Sequence, residues 1–366
     1  MPDQGSLPDR RLSARLIVDR EAIARNFAQL AARAPGAETA AVVKADAYGL
    51  GAPAVARRLA REGCRTFFTA TLEEGAELRR SLGDGEAEIW VLNGYAPAQR
   101  AVYVEQRLGV VLNSEGELTA FLEAPTGPCA LHVDTAMNRL GLPLNEARAL
   151  ADSPGAVPDL DLRLVMSHLA CAEDRQAVLN VRQREAFSDI AARFPSARAS
   201  LANTGGVMLG EDYHFNLTRP GIGLYGATAG DDAPDWLAPA AVLEAPILQI
   251  RRLAAGDAVG YGATYVADRP RLAATVAAGY ADGVPRALSG RGYARIAGRK
   301  APLLGRVSMD LAVIDVSDCE TEARETGAAH FFGADLHDLA RTAGTLPYEL
   351  LTGVGPRVPR SHGAAS

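Results

Sequence analysis

The chain has 366 residues, 48% hydrophobic and 22% charged, with a formal net charge of −6 at pH 7. This is the composition of a globular protein too long for one average domain, and its acidic charge is dispersed with no long run of Lys or Arg, which argues against a nucleic-acid partner. No apolar stretch reaches the ~18 residues of a membrane span, and the polar N-terminus Met1–Arg11 has no apolar targeting core, so a cytoplasmic protein without membrane association is expected.

In chain order, a helix comes first, with Asp19 as N-cap and Ile23, Phe27 and Leu30 along one face. Short apolar runs then follow at Thr39–Ala45, Thr66–Ala70, Glu88–Asn93, Leu108–Leu112, Cys129–Asp134, Leu162–Ser167, Arg198–Ala202 and Ile222–Tyr225. Helical patterns separate them, among them Pro53–Glu62, Leu72–Ser81, Ser114–Glu123 and Gln176–Arg193. Eight runs alternating with helices predict an α/β fold, a (β/α)8 barrel of the TIM type, and runs apolar at consecutive positions fit strands buried on both faces.

The small, polar, Pro-containing segment Thr228–Asp235 reads as a linker. Beyond it the texture changes to Gly-punctuated strands at Val242–Arg252, Leu272–Ala278, Tyr293–Ala297, Ala301–Val307 and Leu311–Val316, with one clear helix at Asp335–Ala343. The expected organisation is a barrel over residues 12–236 and a mainly β domain over 237–366. Four dispersed cysteines, Cys64, Cys129, Cys171 and Cys319, form no C-x-x-C pair, so they read as small buried hydrophobes and no metal site is expected.

In a TIM-type barrel the active site is built from the loops that follow the strands. Lys44 ends the first run, Asp134 the fifth, His168 follows the sixth and Asn203-Thr204-Gly205-Gly206 the seventh, while Arg219-Pro220-Gly221-Ile222-Gly223 opens the eighth element. The two glycine-rich segments offer backbone N–H groups and a hydroxyl to an anion such as phosphate. A desolvated lysine can form an imine with a carbonyl, and an imine-forming lysine beside a phosphate cradle is what pyridoxal 5′-phosphate requires. Each feature also has a plainer explanation. Lys44 could snorkel from a core strand, the glycines could make simple turns, His168 could be a satisfied strand-end histidine, Met309 a core methionine and Tyr265 an ordinary strand aromatic.

Seven motifs in order resemble alanine racemase over nearly the whole chain. They are Val43-Lys44-Ala45-Asp46-Ala47-Tyr48-Gly49, Asp134-Thr135-Ala136-Met137-Asn138-Arg139-Leu140-Gly141, Ser167-His168-Leu169-Ala170, Arg219 through Gly226, Gly260 through Tyr265, Gly279-Tyr280-Ala281-Asp282-Gly283 and Gly305-Arg306-Val307-Ser308-Met309-Asp310. The resemblance implies interconversion of L- and D-alanine, a barrel with a β-rich C-terminal domain, and a homodimer with shared active sites whose D-alanine feeds peptidoglycan. It implies that Lys44 holds pyridoxal 5′-phosphate and moves the Cα proton on the D side, while Tyr265 of the partner subunit serves the L side. It further implies that Tyr48, Asn203, Thr204, Gly221 and Ile222 hold the phosphate, with Arg219 at the pyridine nitrogen and His168 beside it. Arg139 and the backbone N–H of Met309 would hold the substrate carboxylate and the phenolate oxygen region.

Three positions depart from the commonest pattern. His132 stands where many members carry a carbamylated lysine that braces the arginine matching Arg139, and Asn138, with a bound chloride, is expected to take over. Pro356 replaces a tyrosine of some members, which implies a wider entrance and some serine racemisation, and Ser308 replaces a frequent cysteine neutrally. Competing readings are a broader amino-acid racemase, a decarboxylase on the same plan, and a non-catalytic pyridoxal-phosphate binding protein. The exported form of the first is disfavoured by the N-terminus. The second lacks a C-terminal reactive cysteine, and the third would not need Tyr265 and Met309.

Overall fold

The computed structural model describes residues 12–152, 160–230 and 232–363, so the N-terminal segment Met1–Arg11 and Asp231 of the linker lie outside the described residues. The chain divides into two compact units. One is Ala22–Ala238; the other runs from Pro239 onward and includes the segment that ends at Glu21.

The first unit is the α/β barrel. Parallel strands at Ala41–Val42, Thr66–Thr69, Glu88–Val91, Gly109–Leu112, Cys129–Asp134, Leu162–Met166 and Arg198–Ser200 pair in that order. Their consecutive buried Val, Leu, Ile and Phe fit strands covered on both faces. The eighth strand is Leu217–Thr218, which pairs with Glu38–Thr39 and closes the ring. Asn216 N donates to the Ala199 carbonyl at 3.0 Å and Arg219 N to that of Ala202 at 2.8 Å, joining it to the seventh strand.

The run Ile222–Tyr225, expected as the eighth strand, is instead a buried 3₁₀ helix. The apolar run is real, but its Gly221 and Gly223 favour a tight turn, and the true strand is only two residues long. The shift places Arg219 and Gly221 after the eighth strand, on the same rim as Lys44.

At the opposite end the barrel is closed by charge. Arg198 Nη1 pairs with Glu38 at 2.7 Å and its other nitrogen with Glu88, while Thr66 donates to Glu38 at 2.5 Å. Beside them the Trp90 indole packs on Gly109, where a Cβ would stand 2.4 Å from the ring.

The second unit is mainly β. Its long central strand, Ala241–Leu253, pairs antiparallel with Arg15–Val18, Ala328–Phe332 and Arg271–Val276. Arg15–Val18, more than 200 residues earlier in the chain, also pairs parallel with Arg360–His362. Strands Tyr293–Ile296 and Ala312–Asp315 match expected runs, the run expected at Ala301–Val307 is instead a strand at Arg299–Pro302 followed by a loop, and Leu336–Ala343 is the expected helix, joined by two short helices at Glu320–Thr326 and Pro347–Thr352. No described helix is long and apolar enough to cross a membrane.

Replacing Gly109 with Ala should overpack the Trp90 contact and cost about 1–3 kcal/mol. Urea unfolding followed by tryptophan fluorescence checks this, and an unchanged midpoint would show that the indole has room to move.

Candidate active site

Behind Lys44 the backbone reverses. Ala45, Asp46, Ala47 and Tyr48 are all left-handed, with φ of 53, 54, 54 and 57°. Each such residue with a Cβ costs roughly 1–2 kcal/mol, and the turn persists because its polar groups are satisfied. Ala45 N donates to Glu74 Oε1 at 2.7 Å, Ala47 N to the Val43 carbonyl at 2.8 Å, and Ala52 N to Asp46 Oδ1 at 2.7 Å. Glu74 is itself fixed as the partner of Thr71 in a capping box at the start of helix Leu72–Leu82.

This turn leaves the Lys44 amine withdrawn from water. Burial lowers its pKa below the usual 10.5, the nearby Arg139 charge lowers it further, and Glu74 opposes the shift. The sequence contains only two lysines. The other, Lys300, is exposed in the β unit, paired with Asp338 at 3.2 Å and stacked on the Tyr293 ring at 4.0 Å. Of the two lysines, Lys44 is therefore the one whose surroundings favour the free amine.

Arg219 is buried in the barrel and donates to the Ser167 carbonyl at 2.6 Å and to Ser200 Oγ, whose own proton goes to the Leu217 carbonyl at 2.5 Å. Burial draws its pKa down to about 9, so it stays cationic at neutral pH. His168 is pushed well below its usual pKa, first by burial and then by the charges of Arg219, Arg139 and Lys44. His132 falls to about 4 for the same leading reasons, burial and Arg219. Both imidazoles are neutral. Sequence reasoning missed the scaffold below them: Gln183 Nε2 donates to the His168 carbonyl at 2.9 Å, and Ser167 Oγ meets Thr135 Oγ1 at 2.7 Å.

The glycine-rich segments come together with Tyr48. A Cβ on Gly221 would collide with the Tyr48 hydroxyl, and the Tyr48 ring packs on Tyr225 with centroids 4.8 Å apart. Thr204 Oγ1 accepts from Gly221 N at 3.2 Å and Gly223 N at 3.1 Å, and Asn203 caps helix Thr204–Leu209 through Gly206 N at 2.9 Å. The first N–H groups of this helix and of the turn beginning at Ile222 have no intrahelical acceptor. The closeness of Tyr48, Thr204 and Gly221, across from a desolvated amine, fits a phosphate-bearing aldehyde.

Arg139 is exposed on the loop after strand Cys129–Asp134, and its charge acts on Lys44, His132 and His168. Among the described residues no side chain braces it. Asn138, expected in that role, contributes its backbone N–H to Asp134 and no bond to Arg139.

Tyr265 and Met309 belong to the β unit. The Tyr265 hydroxyl is shielded and has no partner among the described residues. Met309 is 53% exposed, so it is not a core methionine, and Tyr280 and Tyr261 nearby in sequence motifs are 44% and 72% exposed. Tyr280 N donates to the Ser308 carbonyl and Ala281 N to that of Met309, both at 3.0 Å, tying these loops into one surface.

A desolvated amine on the rim of an α/β barrel, accompanied by glycine-rich turns on the same rim and by a β-rich unit, defines a class of two-unit barrel enzymes. The alanine racemase N-terminal domain family matches residues 18–229 and the alanine racemase C-terminal domain family residues 240–362. The chain is 43% identical to alanine racemase of Rhizobium meliloti over 96% of this chain and 97% of that protein. It is 45% identical to alanine racemase of Acidiphilium cryptum over 94% and 97%. Among solved structures, alanine racemase from Bartonella henselae with covalently bound pyridoxal phosphate superposes with a TM-score of 0.89 at 35% identity, covering 96% of this chain and all of that one. The chain belongs to the alanine racemase family.

Because the folded chain holds His132 neutral to about pH 4 while the unfolded chain protonates it near 6.5, stability is intact above pH 6.5 and erodes as pH falls below it. The loss from this residue reaches about 3 kcal/mol by pH 4. His132→Gln should lose less stability than the parent between pH 7 and pH 4.5, measured by urea midpoints; equal losses would show that His132 is solvated.

Proposed function

We propose that this chain interconverts L- and D-alanine with pyridoxal 5′-phosphate held on Lys44, and that it does so as a homodimer with shared sites. The observation that carries the reading is the Lys44 amine, lowered in pKa by burial and by Arg139, at a strand end whose turn also delivers Tyr48 to Gly221. Tyr48, Asn203, Thr204, Gly221 and Ile222 hold the phosphate. When bound, the cofactor delocalises the electron pair left on Cα after proton removal.

The protein's own task is then to take the proton from one face and return it on the other. Lys44 Nζ serves the D side, and a low pKa keeps it able to accept. The hydroxyl of Tyr265, contributed by the partner subunit, serves the L side. Arg219 would lie at the pyridine nitrogen. Cationic at neutral pH, it would donate a hydrogen bond there without giving up a proton, which would restrain charge delocalisation and disfavour transamination. Neutral His168 adjoins it, while Arg139 and the Met309 N–H fix the substrate carboxylate and the phenolate oxygen region.

The exposed Tyr261, Val266, Tyr280 and Met309 support a subunit interface, since large apolar side chains are costly to leave in water. The D-alanine so made would serve peptidoglycan synthesis in the cytoplasm.

Holoenzyme should convert L-alanine to the racemate, with Lys44→Ala and Tyr265→Phe each reducing kcat by at least 100-fold. Mixing the two inactive chains should restore activity, because each mixed dimer has one intact site. Failure of the mixture to recover would overturn the shared site, and an unchanged Lys44→Ala rate would overturn the assignment of the base.

A further inference from the structure

We infer that Asp134 is a positioning residue for Arg139: its carboxylate shapes the backbone of the loop that carries the guanidinium, in place of any side-chain brace. The inference rests on Arg139 as the residue that binds the substrate carboxylate.

Asp134 ends strand Cys129–Asp134, and its carboxylate turns back over the loop that follows. Oδ1 accepts from Ala136 N at 3.0 Å, Met137 N at 2.8 Å and Asn138 N at 3.1 Å, and Oδ2 accepts from Asn138 N at 3.0 Å. Three successive amides converge on one carboxylate. The loop they belong to is strained: Ala136 has φ of 90° and Asn138 of 55°. Asparagine tolerates that region, but alanine does not adopt it without compensation. The convergence of amides on Asp134 supplies it.

The base of the loop is pinned independently. Gly141 N donates to the Asn113 carbonyl at 3.1 Å, and Gly141, at φ 112°, lies so close to Asp134 that a Cβ would stand 2.7 Å from the Asp134 N. Leu142–Pro143 then pairs with Val133–Asp134. Asn113 also reaches the other end of the segment. Its Nδ2 donates to the carbonyls of Leu92 and Val111, each at 3.1 Å, which leaves Oδ1 to accept from His132 Nδ1 at 2.8 Å. The segment from His132 to Gly141 is thereby clamped at both ends by Asn113 and folded in the middle by Asp134. Arg139, two residues before Gly141, has no ion pair of its own among the described residues, so its location is a property of this backbone.

The test is a double-mutant cycle on the holoenzyme. Asp134→Ala should raise the KM for alanine at least 10-fold with kcat changed less than threefold and cofactor content unchanged, since misplacement of a binding group by about 1 Å is enough for such losses. Arg139→Ala should raise KM comparably, and Asp134→Ala should add nothing in the Arg139→Ala background. An unchanged KM in Asp134→Ala, or effects that multiply in the double variant, would overturn the positioning role while leaving Arg139 as the carboxylate binder. An unchanged KM in Arg139→Ala would overturn the substrate role of Arg139 and the inference with it. If Asp134→Ala does not fold, the cycle is run with Asp134→Asn, which keeps one acceptor oxygen. A severalfold KM rise that disappears in the Arg139→Ala background is then expected, and an unchanged KM overturns the inference.

Discussion

A strand that simply ran on past Val42 would carry its lysine out of the barrel, and a right-handed turn would aim the following residues elsewhere. The chain instead places Ala45, Asp46, Ala47 and Tyr48 in the left-handed region, at a conformational cost that only satisfied hydrogen bonds can sustain. The rest of the site follows from this reversal. It leaves Lys44 half-buried at the rim, and it brings Tyr48 against Tyr225, whose hydroxyl donates to the Val42 carbonyl at 2.9 Å. The first strand and the loop after the eighth are thus joined through one aromatic pair, and Gly221 is required because the Tyr48 hydroxyl occupies the space of a Cβ.

Charge within that frame is one-sided. Lys44, Arg139 and Arg219 lie close enough to His168 to depress its pKa, and burial works in the same direction on both imidazoles. Neutral histidines and a lysine biased towards its free amine are the states that limit repulsion within this group of cations. Such a cluster is expensive in a folded chain; the Ser167 carbonyl and Ser200 Oγ pair the Arg219 guanidinium, and Gln183 holds the His168 carbonyl.

Much of this was legible in the sequence, and the parts that were not share a physical cause. Seven of the eight barrel strands announce themselves as short apolar runs. Leu217–Thr218 was hidden because two residues carry no periodicity and a longer apolar run lies beside them. Arg15–Val18 was hidden because its pairing with Ala241–Leu253 depends on contacts across most of the chain. In the site, Lys44, His168 and the Asn203–Gly206 turn could be placed by strand counting, whereas Arg219 and Gly221 could not, because the run Ile222–Tyr225 stood in for the true eighth strand. The carboxylate of Asp134 could not, because its partners are backbone amides whose convergence depends on the loop dihedrals. For the same reason Asn138 looked like the brace for Arg139, although its contribution is a left-handed φ and an N–H.

Reduction of the protein with borohydride in the presence of pyridoxal 5′-phosphate, followed by peptide mass mapping, tests the central claim most directly. With only Lys44 and Lys300 in the sequence, the outcome is unambiguous. One phosphopyridoxyl group per chain, on Lys44 and absent from Lys300, is expected of an amine desolvated at the barrel rim beside the glycine-rich turns. Labelling of Lys300, or of both lysines equally, would contradict it.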